Sequence, residues 1–164
     1  MKQVSQIGVI GSGFLDDEDI YKIAYEIGKQ IAKNKLILIC GGKGGVMEAV
    51  CKGVNDSNGI SVGILPSINK AEANKYVTIK IPTNLGENRN YLVVQSSEVV
   101  ICIAGKEGTR MEAEYTLKLK KPLITIPKTG GTSLAITKEY PESVIPAETS
   151  EEAVQKLLEL VNSY

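Results

Sequence analysis

Residues 105–112, GKEGTRME, combine a glycine turn with a threonine, an arginine and a glutamate, which suit anion binding and acid–base chemistry. They follow the apolar run 99–104. Met111, Tyr115 and Leu119 recur after the turn at helical spacing, which predicts a strand, a turn and a helix with these three residues facing the core. Such a helix start has unpaired N–H groups and a partial positive charge. We therefore expect an anionic group, most often a phosphate, to bind at this turn.

Glu112 also has a purely structural interpretation. Thr109 and Glu112 are three residues apart, as in a capping box, where the two side chains accept hydrogen bonds from the exposed N–H groups of a helix start. On that interpretation Glu112 is a cap and binds no ligand. The sequence leaves both interpretations open, although a second glycine junction favours the functional one.

Arginine is rare in this chain. Seventeen of the nineteen basic residues are lysines, and the two arginines, Arg89 and Arg110, lie in the junction or in the predicted helix before it. Guanidinium offers a planar fork to phosphate or carboxylate, whereas ammonium acts as a point charge. The placement of both arginines is therefore compatible with a role in anion binding, or with chance.

The rest of the composition narrows the chemistry. The chain has no histidine, which excludes Ser-His-Asp and Cys-His nucleophile systems and imidazole metal sites. Nineteen acidic residues balance the nineteen basic ones, so we expect no nucleic-acid partner. Cys40, Cys51 and Cys102 lack CxxC spacing and predict buried thiols in a reducing compartment. No apolar run approaches the ~20 residues of a membrane span, and residues 1–5 show no signal-peptide core. A cytoplasmic protein without membrane contact or metal is expected.

Two further glycine turns follow predicted strands, at 11–13 after the strand 6–10 and at 41–45 after the strand 36–40. Neither is a complete nucleotide fingerprint, since the third glycine of GxGxxG would fall at Asp16 and no Ser or Thr follows Lys43 as in a P-loop. With the first turn, they supply the candidate ligand-binding residues Gly11, Ser12, Gly13, Gly41, Gly42, Gly44, Gly45, Gly105, Lys106, Gly108 and Thr109.

The order of predicted elements indicates an α/β fold. Further strands are expected at 60–65, 77–81, 99–104 and 122–126, and helices after residue 19, after residue 45, at 87–97, after the turn at 105 and after Thr149. This alternation predicts one Rossmann-like domain over residues 1–164, a doubly wound and mainly parallel sheet with helices on both faces. The three glycine turns should then meet at the carboxyl edge of the sheet, close to Arg89.

Two polar segments have alternative interpretations. The acidic residues 16–19 could hold a divalent cation, but they more simply complement the start of the following helix. Residues 128–132, KTGGT, are expected to form a loop that could add contacts to a ligand.

These motifs resemble those of a known family. GGKGGVMEA at 41–49 and GKEGTRME at 105–112 are similar to the GGGxxGLMG and PGGxGTxxE turns of the lonely-guy (LOG) phosphoribohydrolases, formerly described as lysine decarboxylases. The GSG turn at 11–13 and Arg89-Asn90 also match that pattern, which makes Arg89 and Asn90 further candidate ligand-binding residues. The similarity covers most of the chain. The length and layout most resemble the short branch that contains molybdenum cofactor carrier proteins, itself related to the Rossmann part of DNA-processing protein A.

The resemblance implies roles for individual residues. In the phosphoribohydrolases, a nucleoside 5′-monophosphate is hydrolysed to a free base and ribose 5-phosphate. Arg89 and Glu112 match the catalytic arginine and glutamate, and Gly108 and Thr109 match phosphate-binding positions. A carboxylate could stabilise the positive charge that develops on the ribose or activate water. The family also implies a homo-oligomer, a dimer or a tetramer.

One departure from the family pattern leads to a choice of functions. Where the family has Pro-Gly-Gly, this chain has Ala104-Gly105-Lys106, so that a long cation replaces a glycine beside the ligand. Lys106 could reach an additional phosphate or point into solvent. We therefore favour a binding protein for a phosphate-bearing nucleotide or pterin, such as a nucleotide monophosphate or the molybdenum cofactor, with no cofactor required. The alternatives are a nucleotide N-ribohydrolase and an assembly or DNA-handling protein.

Overall fold

A computed structural model describes residues 4–163. Residues 1–3, which belong to the segment 1–5 discussed above as lacking a signal-peptide core, lie outside the described part. Seven parallel strands form one sheet in the order β4-β3-β2-β1-β5-β6-β7. The strands are β1 Gln6–Gly11, β2 Ile37–Cys40, β3 Ile60–Leu65, β4 Ile79–Pro82, β5 Val99–Ile103, β6 Leu123–Thr125 and β7 Ile145–Pro146. The helices are α1 Glu18–Lys33, α2 Val46–Asp56, α3 Arg89–Gln95, α4 Glu107–Lys118, α5 Gly131–Glu139 and α6 Ser150–Val161.

The helices cover both faces of the sheet, as predicted. Apolar residues of α1, α2 and α6 form a core on one face, and those of α3, α4 and α5 form a second core on the other. β1 and β5 are neighbours, and the chain runs outward from them in opposite directions. Ligands of such folds bind at this switch point, outside the carboxyl ends of the strands. No helix within residues 4–163 is long and apolar enough to cross a membrane.

Side-chain caps explain where two of the helices, α1 and α6, begin. The side chain of Asp17 accepts hydrogen bonds from the N–H groups of Asp19 and Ile20, at 2.9 and 3.1 Å, and caps α1. This favours the helix-start interpretation of the acidic segment, and no cluster of three potential metal ligands occurs in the described part of the chain. Thr149 caps α6 in the same way, through the N–H of Glu152 at 3.1 Å. The three cysteines are buried and free, as expected.

The segment after β6 differs from the prediction. Residues 128–132 were expected to form a loop, but Pro127–Thr129 is a 3-10 turn and α5 begins at Gly131. The short strand β7 also has no counterpart among the predicted strands. The buried face of α5 includes Thr132 and Ser133, and hydroxyl residues at core positions hide the apolar periodicity by which helices are recognised.

Candidate functional site

The three glycine turns meet at the carboxyl edge of the sheet, around a cavity of about 180 Å³ at the switch point. The prediction that they converge is therefore confirmed. The residues that line the cavity are Val9, Ile10, Gly11, Ser12, Gly13, Gly41, Met47, Arg89, Asn90, Lys106, Gly108, Thr109 and Glu112. The sequence did not indicate Met47 as a lining residue, although its place in the first turn of α2, directly after a glycine junction, is a usable signal.

Four of the predicted residues, Gly42, Gly44, Gly45 and Gly105, do not line the cavity. Gly45 and Gly105 instead shape its walls, since they adopt φ angles of +63° and +110° that side chains rarely allow. A Cβ atom at Gly45 would lie 2.1 Å from the carbonyl oxygen of Ser12. The N–H of Gly105 donates a hydrogen bond to Ser12 Oγ at 2.9 Å. Ser12 thereby joins the first turn to the third.

Helix α4 begins at Glu107, with Lys106 at the N-cap position, and no side chain caps it. The first intrahelical bond at this end runs from the N–H of Arg110 to the carbonyl of Lys106, at 2.9 Å. The N–H groups of Glu107, Gly108 and Thr109 therefore have no acceptor among the described residues. Glu107 and Gly108 are exposed, so an anion at this helix start would find unpaired donors and a favourable dipole.

The capping-box interpretation of Thr109 and Glu112 is wrong. Because α4 starts two residues before Thr109, both residues lie inside the helix, and both are buried. The prediction that Met111, Tyr115 and Leu119 face the core is wrong as well, since Leu119 is 39% exposed and the other two are half-buried. The residues of α4 that are buried are Thr109, Glu112, Ala113 and Thr116.

Glu112 is the buried ionisable group of the cavity. This residue is only 8% exposed, and it lines the cavity. Burial raises the pKa of Glu112 to about 8, and the positive charge of Arg89 opposes this increase only in part. At neutral pH the carboxyl group is therefore mostly protonated, and it can donate a hydrogen bond to a ligand or take part in proton transfer.

Arg89, the first residue of α3, lies beside Glu112 in the cavity wall. Its Nη1 donates to the carbonyl oxygen of Ile64 at 3.2 Å, whereas its buried Nε has no partner in the described structure. Burial lowers the pKa of this guanidinium, and the charge of Glu112 counters that effect. A Cβ atom at Gly41 would lie 1.8 Å from Nη1. The glycine at position 41 is thus required for the arginine to occupy this place.

Lys106 borders the cavity and is exposed. Its carbonyl oxygen accepts a hydrogen bond from Thr132 Oγ1 at 2.9 Å, so that α5 fixes the backbone of the turn. Within the described residues its ammonium group forms no ion pair, unlike that of Lys43, which lies 3.9 Å from Glu72. The segment 128–132 therefore holds the backbone of the glycine turn at 105–108 in place, and it does not line the cavity.

Arg110 has a different position from Arg89. Its guanidinium forms ion pairs with Glu114 at 2.7 Å and with Glu139, and it does not line the cavity. Of the two arginines, Arg89 alone faces the candidate site.

A larger groove of about 850 Å³ lies near the starts of β6 and β7, at the opposite edge of the sheet, but no buried ionisable group lines it.

The topology and the cavity define a Rossmann-like α/β protein with a small polar cleft at its switch point. The chain belongs to the SLOG cluster4 family, whose model matches residues 4–154. A protein of Archaeoglobus fulgidus is 42% identical over 124 residues, which cover 76% of this chain and 81% of the relative. The resemblance to the LOG-like superfamily is thereby confirmed.

Solved structures agree with this assignment. The molybdenum cofactor binding protein of Rippkaea orientalis is 31% identical, with a TM-score of 0.88 over 98% of this chain and 99% of that one. The molybdenum cofactor carrier protein of Chlamydomonas reinhardtii is 32% identical, with a TM-score of 0.83 over the same shares. DNA processing protein A of Helicobacter pylori is 16% identical, with a TM-score of 0.74 over 94% of this chain and 80% of that one, and shares the fold.

Proposed function

We propose that this protein binds a phosphate-bearing nucleotide or pterin, in the manner of a molybdenum cofactor carrier. One observation supports the proposal above all others. The uncapped start of α4 and the residues Arg89 and Glu112 line the same small cavity. The similarity to two proteins that bind or carry the molybdenum cofactor supports a ligand-binding role and directs it toward a pterin.

The residues present suit the phosphate of such a ligand. The N–H groups of Glu107, Gly108 and Thr109 would donate to its oxygens, and Arg89 and Lys106 would balance its charge. The described residues provide no metal-ligand cluster. A metal carried by the ligand would therefore be held through the ligand's own atoms, and the protein would recognise the organic part and the phosphate.

Thermal unfolding with and without ligands tests the proposal. The probes are adenosine and guanosine 5′-monophosphates and the molybdenum cofactor. A ligand at one hundred times its Kd stabilises a folded protein by about 2.7 kcal/mol. For a domain of this size we expect the Tm to rise by roughly 5–10 °C. If no probe shifts the Tm, the proposal is wrong.

Gly108 offers a matched pair of variants for this test. A Cβ atom at Gly108 would meet only the side chain of Asn90, at 3.7 Å, so the fold accommodates both alanine and aspartate. Aspartate in the first turn suits the helix dipole, yet its charge repels a phosphate. We expect Gly108→Asp to abolish the protection without lowering the Tm of the free protein, and Gly108→Ala to retain protection. Equal protection of both variants would place the ligand elsewhere.

A second candidate function is hydrolysis of the N-ribosidic bond of a nucleoside 5′-monophosphate. The proximity of Glu112, whose pKa is about 8, to Arg89 favours it, because an acid that titrates near neutral pH can exchange a proton with a departing base or with water. Incubation with adenosine monophosphate would then release free adenine, and Glu112→Gln would stop release while binding persists. Absence of free base from all common nucleotides would exclude this function.

Self-association and a cytoplasmic location complete the proposal. The family resemblance supports a dimer or tetramer, and three free buried cysteines suit a reducing compartment. Light scattering coupled to size-exclusion chromatography measures the mass, and a monomer would refute self-association.

A further inference from the structure

The single phenylalanine of the chain, Phe14, is 72% exposed, although phenylalanine is among the residues most often buried. It directly follows Gly13, which lines the cavity. Its neighbour Leu15 packs against the core, whereas Phe14 belongs to neither core cluster. Isolated exposed apolar residues are common, so the exposure of Phe14 gains meaning only from its surroundings.

The backbone that carries Phe14 is fixed on two sides. The carbonyl oxygen of Ser12 accepts a hydrogen bond from the N–H of Val46 at 2.8 Å, and Ser12 Oγ accepts one from Gly105 at 2.9 Å. A Cβ atom at Gly45 would lie 2.6 Å from the nitrogen of Phe14, so the loop packs directly on the start of α2. Two residues span at most about 7 Å, so the backbone of Phe14 lies directly beside the cavity-lining residues Ser12 and Gly13.

The cavity itself cannot enclose a whole nucleotide or pterin. Its volume is about 180 Å³, whereas pockets that bury small organic ligands measure roughly 300–1,000 Å³. None of the described residues that line it is aromatic. A phosphate and the atoms attached to it would fill the cavity, and a planar ring would extend to its mouth.

We propose that Phe14 is a stacking platform for the heterocyclic ring of the ligand. This inference rests on the proposed function, and it assigns the two ends of the ligand to separate parts of the protein. The anion lies at the start of α4, and the flat ring lies on Phe14. Tyr91, which follows the cavity residue Asn90, is less suited to this role because its ring already packs edge-on against Tyr115, with a centroid distance of 4.7 Å.

Stacking of a base on an aromatic side chain changes affinity by roughly 5- to 150-fold. The test measures the Kd of adenosine 5′-monophosphate, guanosine 5′-monophosphate and ribose 5-phosphate by titration calorimetry. The proteins are the wild type, Phe14→Ala, Phe14→Leu and Phe14→Trp. We expect Phe14→Ala to weaken nucleotide binding within that range and to leave ribose 5-phosphate unchanged. Phe14→Trp should retain nucleotide affinity, and Phe14→Leu should not.

Each other outcome has a distinct meaning. If the wild type binds ribose 5-phosphate as tightly as the nucleotides, or if Phe14→Ala weakens all three ligands equally or none, the stacking role is refuted while the anion site stands. If Phe14→Ala changes the mass of the assembly in light scattering but no Kd, Phe14 is an interface residue and the inference is wrong. If the wild type binds none of the three probes, the inference fails together with nucleotide binding.

Discussion

Replacement of Glu112 by glutamine should change how stability depends on pH. Burial raises the pKa of Glu112 from 4.5 to about 8, and each pKa unit corresponds to about 1.4 kcal/mol. Between these two values the folded protein keeps a proton that the unfolded chain has released. The free energy of unfolding should therefore fall as pH rises from about 4.5 to 8, by on the order of 5 kcal/mol in total, and level off above pH 8.

Urea unfolding of the wild type and Glu112→Gln at intervals from pH 5 to 9 measures this effect. Glutamine has nearly the same shape and does not titrate, so subtraction of the two curves removes the contributions of all other groups. The chain has no histidine, the usual titrating residue of this range. We expect the stability of the wild type relative to the variant to fall steadily up to pH 8. A difference that stays constant from pH 5 to 9 would refute the burial of an uncharged Glu112.

Three further substitutions test the construction of the site. Gly41→Ala should displace the Arg89 guanidinium, since its Cβ would lie 1.8 Å from Nη1, and weaken nucleotide binding about tenfold in calorimetry; unchanged affinity would contradict the placement of Arg89. Ser12→Ala removes the acceptor for the Gly105 N–H and should cost about 1 kcal/mol in urea unfolding; no loss would show that this tether is unimportant. Arg110→Lys should leave affinity within about twofold, because Arg110 lies outside the cavity; a loss as large as that expected of Gly41→Ala would overturn its structural assignment.

Much of the fold follows from local pattern. The continuous apolar runs that became β2 and β5 are typical of strands buried on both faces of a parallel sheet. Glycine turns after strands predict the edge at which the cavity lies, and the topological rule for parallel sheets brings distant turns together. The convergence of Ser12, Gly41, Gly108 and Arg89 could therefore be predicted without coordinates.

The orientation of α4 could not be predicted. Apolar spacing selected Met111, Tyr115 and Leu119 as the buried face, but the helix instead buries Thr109, Glu112 and two neighbours. The use of apolar spacing to find the buried face of a helix assumes that buried residues are apolar. This assumption fails where a helix directs polar residues toward a cleft. The same limitation hid the start of α5. The pairing of Arg110 with Glu139 could not be predicted either, because it joins residues that are 29 positions apart.

In the proposed complex, the start of α4 holds the phosphate of a heterocyclic ligand. Mass spectrometry can identify the small molecules that wild type and Gly108→Asp, purified in parallel, release on denaturation. We predict a phosphate-bearing pterin or nucleotide from the wild type and none from the variant. Release of the same molecule in equal amount from both proteins, or of no such molecule from the wild type, would contradict the claim.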